Sequence, residues 1–221
     1  MRLVGFSELN YDIITNQQGP YPHLEKVVQK HLQSPFLKPI AEKTVEDFRY
    51  LSEKITQLNK PLILDSCCGT GMSTQALAKL HSEHFVIGID KSSHRLNKSS
   101  NNQDENYLLV RGDVIDYWRL IEKEIWNIEK HFILYPNPYP KAEHFKRRFH
   151  GHPIFPTLLK ISPYLEIRSN WKLYLEEFQL ACKLVESRSA ELNVFHPKEA
   201  MTLFEKKYLK EDQRLYFLVA S

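Results

Sequence analysis

From about residue 60 onward the chain alternates short apolar runs with stretches of helical length, and this alternation restricts the fold more than any other feature. "PLILDS" reads as a strand, "MSTQALAKLHS" as a helix, "HFVIGID" as a strand and "SSHRLNKSS" as a helix. "NYLLVRGD", "VIDYWRLIEKEI", "KHFILYP", "FPTLLKIS", "YLEIRS" and "NWKLYLEEFQLACKLVES" continue the series. "ELNVFH", a helix around "KEAMTLFEKKYL", and "QRLYFLVA" close it. Strands separated by helix-length segments build right-handed βαβ crossovers, so the expected fold is α/β, a doubly wound and mostly parallel sheet. Ahead of it, residues 1–42 carry Gly19, four prolines and little periodicity, and read as loop, short basic helix, loop. A helical pattern from about Thr44 (Val45, Phe48, Leu51, Ile55) runs to the break at Pro61. The expected organisation is an irregular extension over 1–42 and one domain over 43–221.

Composition narrows the class further. At 221 residues with 42% hydrophobic and 26% charged side chains, the chain affords a substantial core and is not disordered. A net charge of +3 implies no nucleic-acid partner by itself, so that inference needs a local basic patch. Cys67, Cys68 and Cys182 are the only cysteines and lack C-x-x-C spacing, which points to a reducing compartment and to no disulfide or zinc framework. No apolar run approaches the roughly 18 residues of a membrane span. The expectation is a cytoplasmic protein, with no membrane and no metal among its partners.

Four of the seven glycines, Gly69, Gly71, Gly88 and Gly112, lie in or just after the first three strands. Ligands of open α/β sheets bind outside the carboxyl ends of strands, where such residues let a ligand approach the backbone. "LILDSCCGTGMSTQALA" is a strand, an acid, a glycine-bearing turn and a helix. No G-K-[ST] follows, so it is not a P-loop, and Cys67 takes the place of a dinucleotide fingerprint's first glycine. Asp65, Asp90 and Asp113 come at the ends of three consecutive strands; each could be no more than a helix cap. Three such acids with one glycine-bearing loop resemble the class I S-adenosylmethionine-dependent methyltransferases, whose fold is Rossmann-like. The resemblance implies that the first loop (Asp65, Cys67, Gly69, Gly71) embraces the methionine part of S-adenosylmethionine, Asp90 holds the ribose, and Asp113 flanks the adenine.

The exit of the fourth strand narrows the resemblance. Pro136-Asn137-Pro138-Tyr139-Pro140-Lys141, followed by His144, Lys146, Arg147 and Arg148, is similar to the Asp-Pro-Trp-Pro-Lys-like motif and basic run of bacterial tRNA (guanine-N7) methyltransferases. Ser169-Asn170-Trp171-Lys172-Leu173-Tyr174 resembles that family's Thr-Asp-Trp-x-x-Tyr segment, and Thr202-Leu203-Phe204-Glu205-Lys206-Lys207 its Thr-x-x-Glu segment with a following base. The order and spacing agree from about residue 60 to the C-terminus. The resemblance implies a catalytic position at Asn137, a guanine site with Lys141, Asn170, Tyr174, Thr202 and Glu205, and a tRNA-binding rim at Lys146, Arg147 and Arg148. It leaves monomer and homodimer both open. Asn137 and Asn170 stand where the family has Asp, which marks a divergent branch.

Guanine N7 is a neutral lone pair without a proton, so its methylation needs placement rather than a general base. Glu205 is the full carboxylate expected to accept from the guanine edge. Cations beside Tyr139, Phe145 and Phe149 suit RNA, since they can hold phosphates next to rings that stack on an exposed base. On its own, however, a basic run is also what a solvated helix face looks like. Two other classes stay open: an amino-group methyltransferase, because "NPYP" is one transposition from Asn-Pro-Pro-Tyr, and a non-catalytic cofactor- or RNA-binding homologue.

Overall fold

The structure, a computed structural model, describes residues 13–98, 106–186 and 188–221. Among them seven strands form one sheet, β1 (Leu62–Ser66), β2 (Phe85–Asp90), β3 (Tyr107–Arg111), β4 (Ile128–Leu134), β5 (Leu165–Ser169), β6 (Ala190–Phe195) and β7 (Leu215–Ala220). Their order is β3-β2-β1-β4-β5-β7-β6. The first five pair in parallel, while β7 runs antiparallel to both β5 and β6. The expected doubly wound, mostly parallel sheet is thus present. The strand order reverses between β1 and β4, which is where such sheets open a crevice at their carboxyl ends.

The helices are α1 (Leu24–Gln33), α2 (Glu42–Leu58), α3 (Met72–Leu80), α4 (Ser93–Leu96), α5 (Val114–Glu124), α6 (Phe155–Lys160), α7 (Lys172–Cys182) and α8 (Leu203–Lys210). β1 alternates across the sheet as strand geometry requires. Leu62 and Leu64 join the larger core with Phe48, Trp118, Phe155 and Phe178, while Ile63 joins a second core with Leu77 and Ala78 of α3. Burying each such side chain contributes roughly 1.5–3 kcal/mol, so the central strand is locked from both faces. Leu24 and Val28 of α1 lie in the larger core, and α1 packs on α6 and α7.

One expectation shifts in detail. The helix expected around residues 198–209 begins at Leu203, because the Thr202 hydroxyl accepts from the Glu205 N–H at 3.0 Å and caps it there. The basic run after β4 forms two short 3₁₀ segments, Ala142–Arg147 and Phe149–Gly151. A buried polar cluster lies at the junction of the two segments. Arg148, His150 and Glu177 are each 0% exposed, with Arg148 and His150 both on the Glu177 carboxylate. Burial pushes Glu177 up, yet the contacts from His150 and Arg148 outweigh it and hold the carboxyl below its ordinary value.

The buried histidines make stability depend on pH. Burial lowers His131 from 6.5 to about 3 and His152 to about 4, and it lowers His150 as well. A base with a depressed folded pKa binds fewer protons folded than unfolded, so stability is lost as pH falls below 6.5. Asp65 acts oppositely: burial raises it from 3.8 to about 6, so it adds stability as pH falls through that window. The histidines outweigh it in number. The unfolding free energy from urea titration is expected to drop by on the order of 2 kcal/mol between pH 7.5 and 5.5. A flat or rising profile would contradict neutral burial of these rings.

Candidate active site

A cleft of about 850 Å³ opens at the carboxyl ends of β1, β2 and β4. The β1–α3 turn forms its floor. Cys67, Gly69 and Gly71 all adopt left-handed backbone, with φ of 64°, 61° and 81°. For Cys67, the residue in the place of a glycine, that conformation costs on the order of 1–2 kcal/mol. At Gly71 a Cβ would also stand 2.6 Å from the Leu109 side chain, so no larger residue fits without moving that neighbour. The turn therefore keeps its two glycines where a side chain would clash or strain, and carries a strained cysteine at the cleft wall.

The three acids do different things. Asp65 is fully buried, is not on the cleft wall, and accepts at Oδ2 from the Ser73 and Thr74 hydroxyls, each at 2.7 Å. It ties β1 to the start of α3, so direct cofactor contact, expected from the sequence, is corrected to a supporting position. Asp90 is 2% exposed and on the wall. Its Oδ2 accepts from the Gly69 N–H at 3.0 Å, and its Oδ1 from the Ser92 N–H at 2.8 Å and Arg95 Nη2 at 2.9 Å. Among the described residues these three donors leave one of a carboxylate's roughly four acceptor positions open. Asp113 is exposed on the wall and also caps α5, accepting from the Ile115 N–H at 3.0 Å. The cap and the wall position coexist.

The exit of β4 forms the opposite wall. Tyr135 and Tyr139 have φ of 55° and 46°, and Asn137 between them is exposed on the cleft, its Oδ1 accepting from the Tyr139 N–H at 3.2 Å. Arg147 also lines the cleft, with its guanidinium carbon 5.9 Å from the centre of the Tyr139 ring. Lys141 and Lys146 are exposed outside the cleft wall. Arg148 corrects the expected rim. It is fully buried, donates to the Tyr139 carbonyl from Nε at 3.2 Å and from Nη2 at 3.0 Å, reaches the Lys141 carbonyl at 3.3 Å, and pairs with Glu177. A guanidinium so enclosed cannot meet a phosphate.

The remaining segments converge from a distance. Asn170 and Tyr174 line the cleft; Asn170 Nδ2 donates to Gln213 Oε1 at 2.9 Å and does not cap α7, whereas Ser169 Oγ accepts from the Trp171 N–H at 3.0 Å. Thr202 is on the wall as the cap of α8. Glu205 is the third correction. It is 0% exposed and lies off the wall. Its Oε1 accepts from the Tyr135 hydroxyl at 3.0 Å and Arg168 Nη1 at 2.9 Å, and its Oε2 from the Met201 N–H at 2.6 Å. That carboxylate is committed to holding α8 against β4 and β5.

Cleft residues that the sequence reading does not single out include Arg95, Tyr135 and Phe204. Arg95 stands five positions after Asp90 and gave a signal only as one charge in a basic stretch. Tyr135 sits next to the motif but not in it. Phe204 lies inside Thr-x-x-Glu, is 48% exposed, and stacks on Tyr208 with ring centres 6.1 Å apart. An aromatic ring left open at a cleft was legible once α8 was placed there.

Known proteins can be set beside this geometry. A tRNA (guanine-N(7)-)-methyltransferase of Zymomonas mobilis is 32% identical over 98 residues, 42% of each chain. The protein of the same description from Nitrosomonas europaea is 27% identical over 166 residues, 72% of this chain and 71% of that one. The chain's match therefore spans under half of the first relative's length and somewhat over two thirds of the second's. A solved structure described as an antibiotic related methyltransferase superposes with a TM-score of 0.58 at 17% identity, covering 83% of this chain and 96% of that one. At that identity the likeness bears on the fold alone. The model of the family described as "Putative methyltransferase" matches residues 59–218, a span that runs from the approach to β1 into β7 and takes in every wall of the cleft, and the chain belongs to that methyltransferase family.

Proposed function

We propose that the protein is an S-adenosylmethionine-dependent methyltransferase acting on N7 of a guanine in tRNA. The observation that carries this reading is convergence: Asn137, Asn170 and Thr202, far apart in sequence, line one cleft with Gly69 and Asp90. The relatives named above carry that activity in their descriptions. The cleft fits the cofactor in kind. Its volume of about 850 Å³ lies within the range of small-molecule sites. Asp90 keeps acceptor capacity for a ribose hydroxyl, and the Cys67–Gly71 turn brings backbone close to the cavity. The residues that would hold S-adenosylmethionine are Cys67 and Gly69 in the turn that Gly71 closes from off the wall, Asp90, and Asp113. When bound, the cofactor supplies an electrophilic methyl group on a sulfonium.

The rest is the work of the chain. Because guanine N7 has no proton to remove, the side chains need only bring the base in line, at near-attack distance, and exclude water. With Glu205 withdrawn from the site, the guanine edge falls to the amides of Asn137 and Asn170. An amide can accept from N1–H and the 2-amino group and donate to O6, so it suits guanine without a carboxylate. Tyr139 and Phe204 offer ring faces for the base, and Arg147, Lys146 and Lys141 offer cations for flanking phosphates. The substrate partner is tRNA.

The reading is tested by incubating the purified protein with bulk tRNA and methyl-labelled S-adenosylmethionine, then analysing nucleosides. Label in 7-methylguanosine supports it. Label in an N-methylated adenosine would support the amino-group reading, and no transfer would support the non-catalytic one. Asn137→Ala is expected to lower turnover by about tenfold or more, while Asn137→Asp retains it, since N7 attack asks for an acceptor and not a base. A severe loss in the Asp variant would overturn the guanine-N7 assignment.

The rim generates a separate expectation. The Lys146→Ala/Arg147→Ala variant should flatten the log–log salt dependence of tRNA binding by roughly 1.5 units, at close to 0.8 per phosphate contact, and leave cofactor affinity unchanged. An unaltered slope would return both residues to an ordinary solvated surface.

A further inference from the structure

The loop that carries Asn137 is poor in its own hydrogen-bond donors. Pro136, Pro138 and Pro140 have no N–H, so a backbone ladder cannot fix the segment. Three successive carbonyls, those of Tyr139, Pro140 and Lys141, accept from side chains, the last also from the His144 N–H at 2.9 Å. Arg148 takes the first and third. Thr15 takes the second, its Oγ1 2.5 Å from the Pro140 carbonyl. The next residue, Asn16, accepts the Ala142 N–H at its Oδ1 at 3.0 Å.

The same N-terminal segment also grips what lies beneath the loop. Gln17 is 8% exposed; its Oε1 accepts from Arg148 Nη2 at 2.9 Å, and its Nε2 donates to Glu177 Oε1 at 2.5 Å. The Tyr21 N–H donates to Glu177 Oε1 at 2.7 Å, and the Tyr21 ring stacks on Phe145 with centres 4.4 Å apart. Thr15, Asn16, Gln17 and Tyr21 lie outside the family-matched residues 59–218, and all of their partners named here lie inside. We infer that residues 15–17 are a positioning strap, whose hydrogen bonds to Pro140 and Ala142 set the geometry of the Asn137 loop for methyl transfer. Thr15 and Asn16 touch no part of the cleft wall, so they act through the loop. The catalytic part of this inference rests on the activity proposed above.

The test compares two double variants of the full chain. Thr15→Val/Asn16→Ala removes the donor and the acceptor; Thr15→Ser/Asn16→Asp keeps both. Both residues are exposed, so neither variant threatens the core. The first is expected to lower kcat about tenfold while tRNA KM and cofactor Kd stay within about twofold, the pattern of lost placement rather than lost binding. Its amides at Asn137, Tyr139, Lys141 and Ala142 should exchange hydrogen faster than in the wild type. The Ser/Asp variant should restore both kcat and slow exchange. Wild-type exchange and kcat in the Val/Ala variant would overturn the strap, and so would a rise in tRNA KM alone, which would make these residues RNA contacts. Should the wild-type protein transfer no methyl group to tRNA, the proposed function fails, and the exchange comparison still decides whether the strap orders the loop.

Discussion

The buried ion pair between Arg148 and Glu177 is the interaction on which the rest of the cleft's near wall depends. Taking both charges out of water costs several kcal/mol per ion, and only full hydrogen bonding on both sides offsets that. The structure meets this condition. Glu177 collects Arg148, His150, Gln17 and the Tyr21 N–H, while Arg148 spends its other donors on the carbonyls of Tyr139 and Lys141 and on Gln17. One cluster therefore joins α7, the N-terminal segment, the 3₁₀ turns and the proline-rich loop after β4. A loop with three prolines needs outside donors, and a guanidinium, with its fixed fork of N–H groups, supplies several from one residue.

The opposite wall depends on a second carboxylate of the same kind. Asp90 joins the Gly69 turn to the turn after β2 through Gly69, Ser92 and Arg95. Glu205 does comparable work on the far side, fastening α8 to Tyr135 and Arg168. The acids in the family-like motifs thus divide by position: Asp65 and Glu205 lie behind the walls and shape them, while Asp90 and Asp113 stand on the cleft itself. With its motif acid enclosed, the cleft wall around Asn137 and Asn170 is built from neutral amides and aromatic rings, which suits the proposed transfer of a methyl group onto a lone pair with no proton to remove.

Much of the fold was legible because it rests on local periodicity. The apolar run of β1, the Thr44–Leu58 helix and the strand after Lys130 each declare themselves within a few residues, and the crossover rule supplies the parallel order. The cleft was legible where glycines and acids mark strand ends, as at Gly69, Gly71 and Asp90. What escaped was decided over long distances. Nothing near Arg148 distinguishes it from Arg147, yet Glu177, 29 positions on, draws one inward while the other stays on the cleft. Gln17 reads as a polar loop residue until Glu177, 160 positions later, folds against it. Glu205 carries the motif's carboxylate, but Arg168 and Tyr135 claim it from strands that the sequence cannot align with α8 in advance.

The ion pair serves placement as well as stability, and exchanging it for a nonpolar pair separates the two. Glu177→Leu alone leaves a buried guanidinium without its partner and should cost on the order of 3–5 kcal/mol in urea unfolding. Arg148→Met/Glu177→Leu should recover most of that stability, because a well-packed apolar pair can replace a buried ionic one. The decisive measurement is single-turnover methyl transfer by the stable double variant. Transfer should stay about tenfold or more below wild type, since the Tyr139 carbonyl has lost its donor and the Lys141 carbonyl keeps only the His144 N–H. Wild-type transfer by a stably folded double variant would contradict placement by the pair.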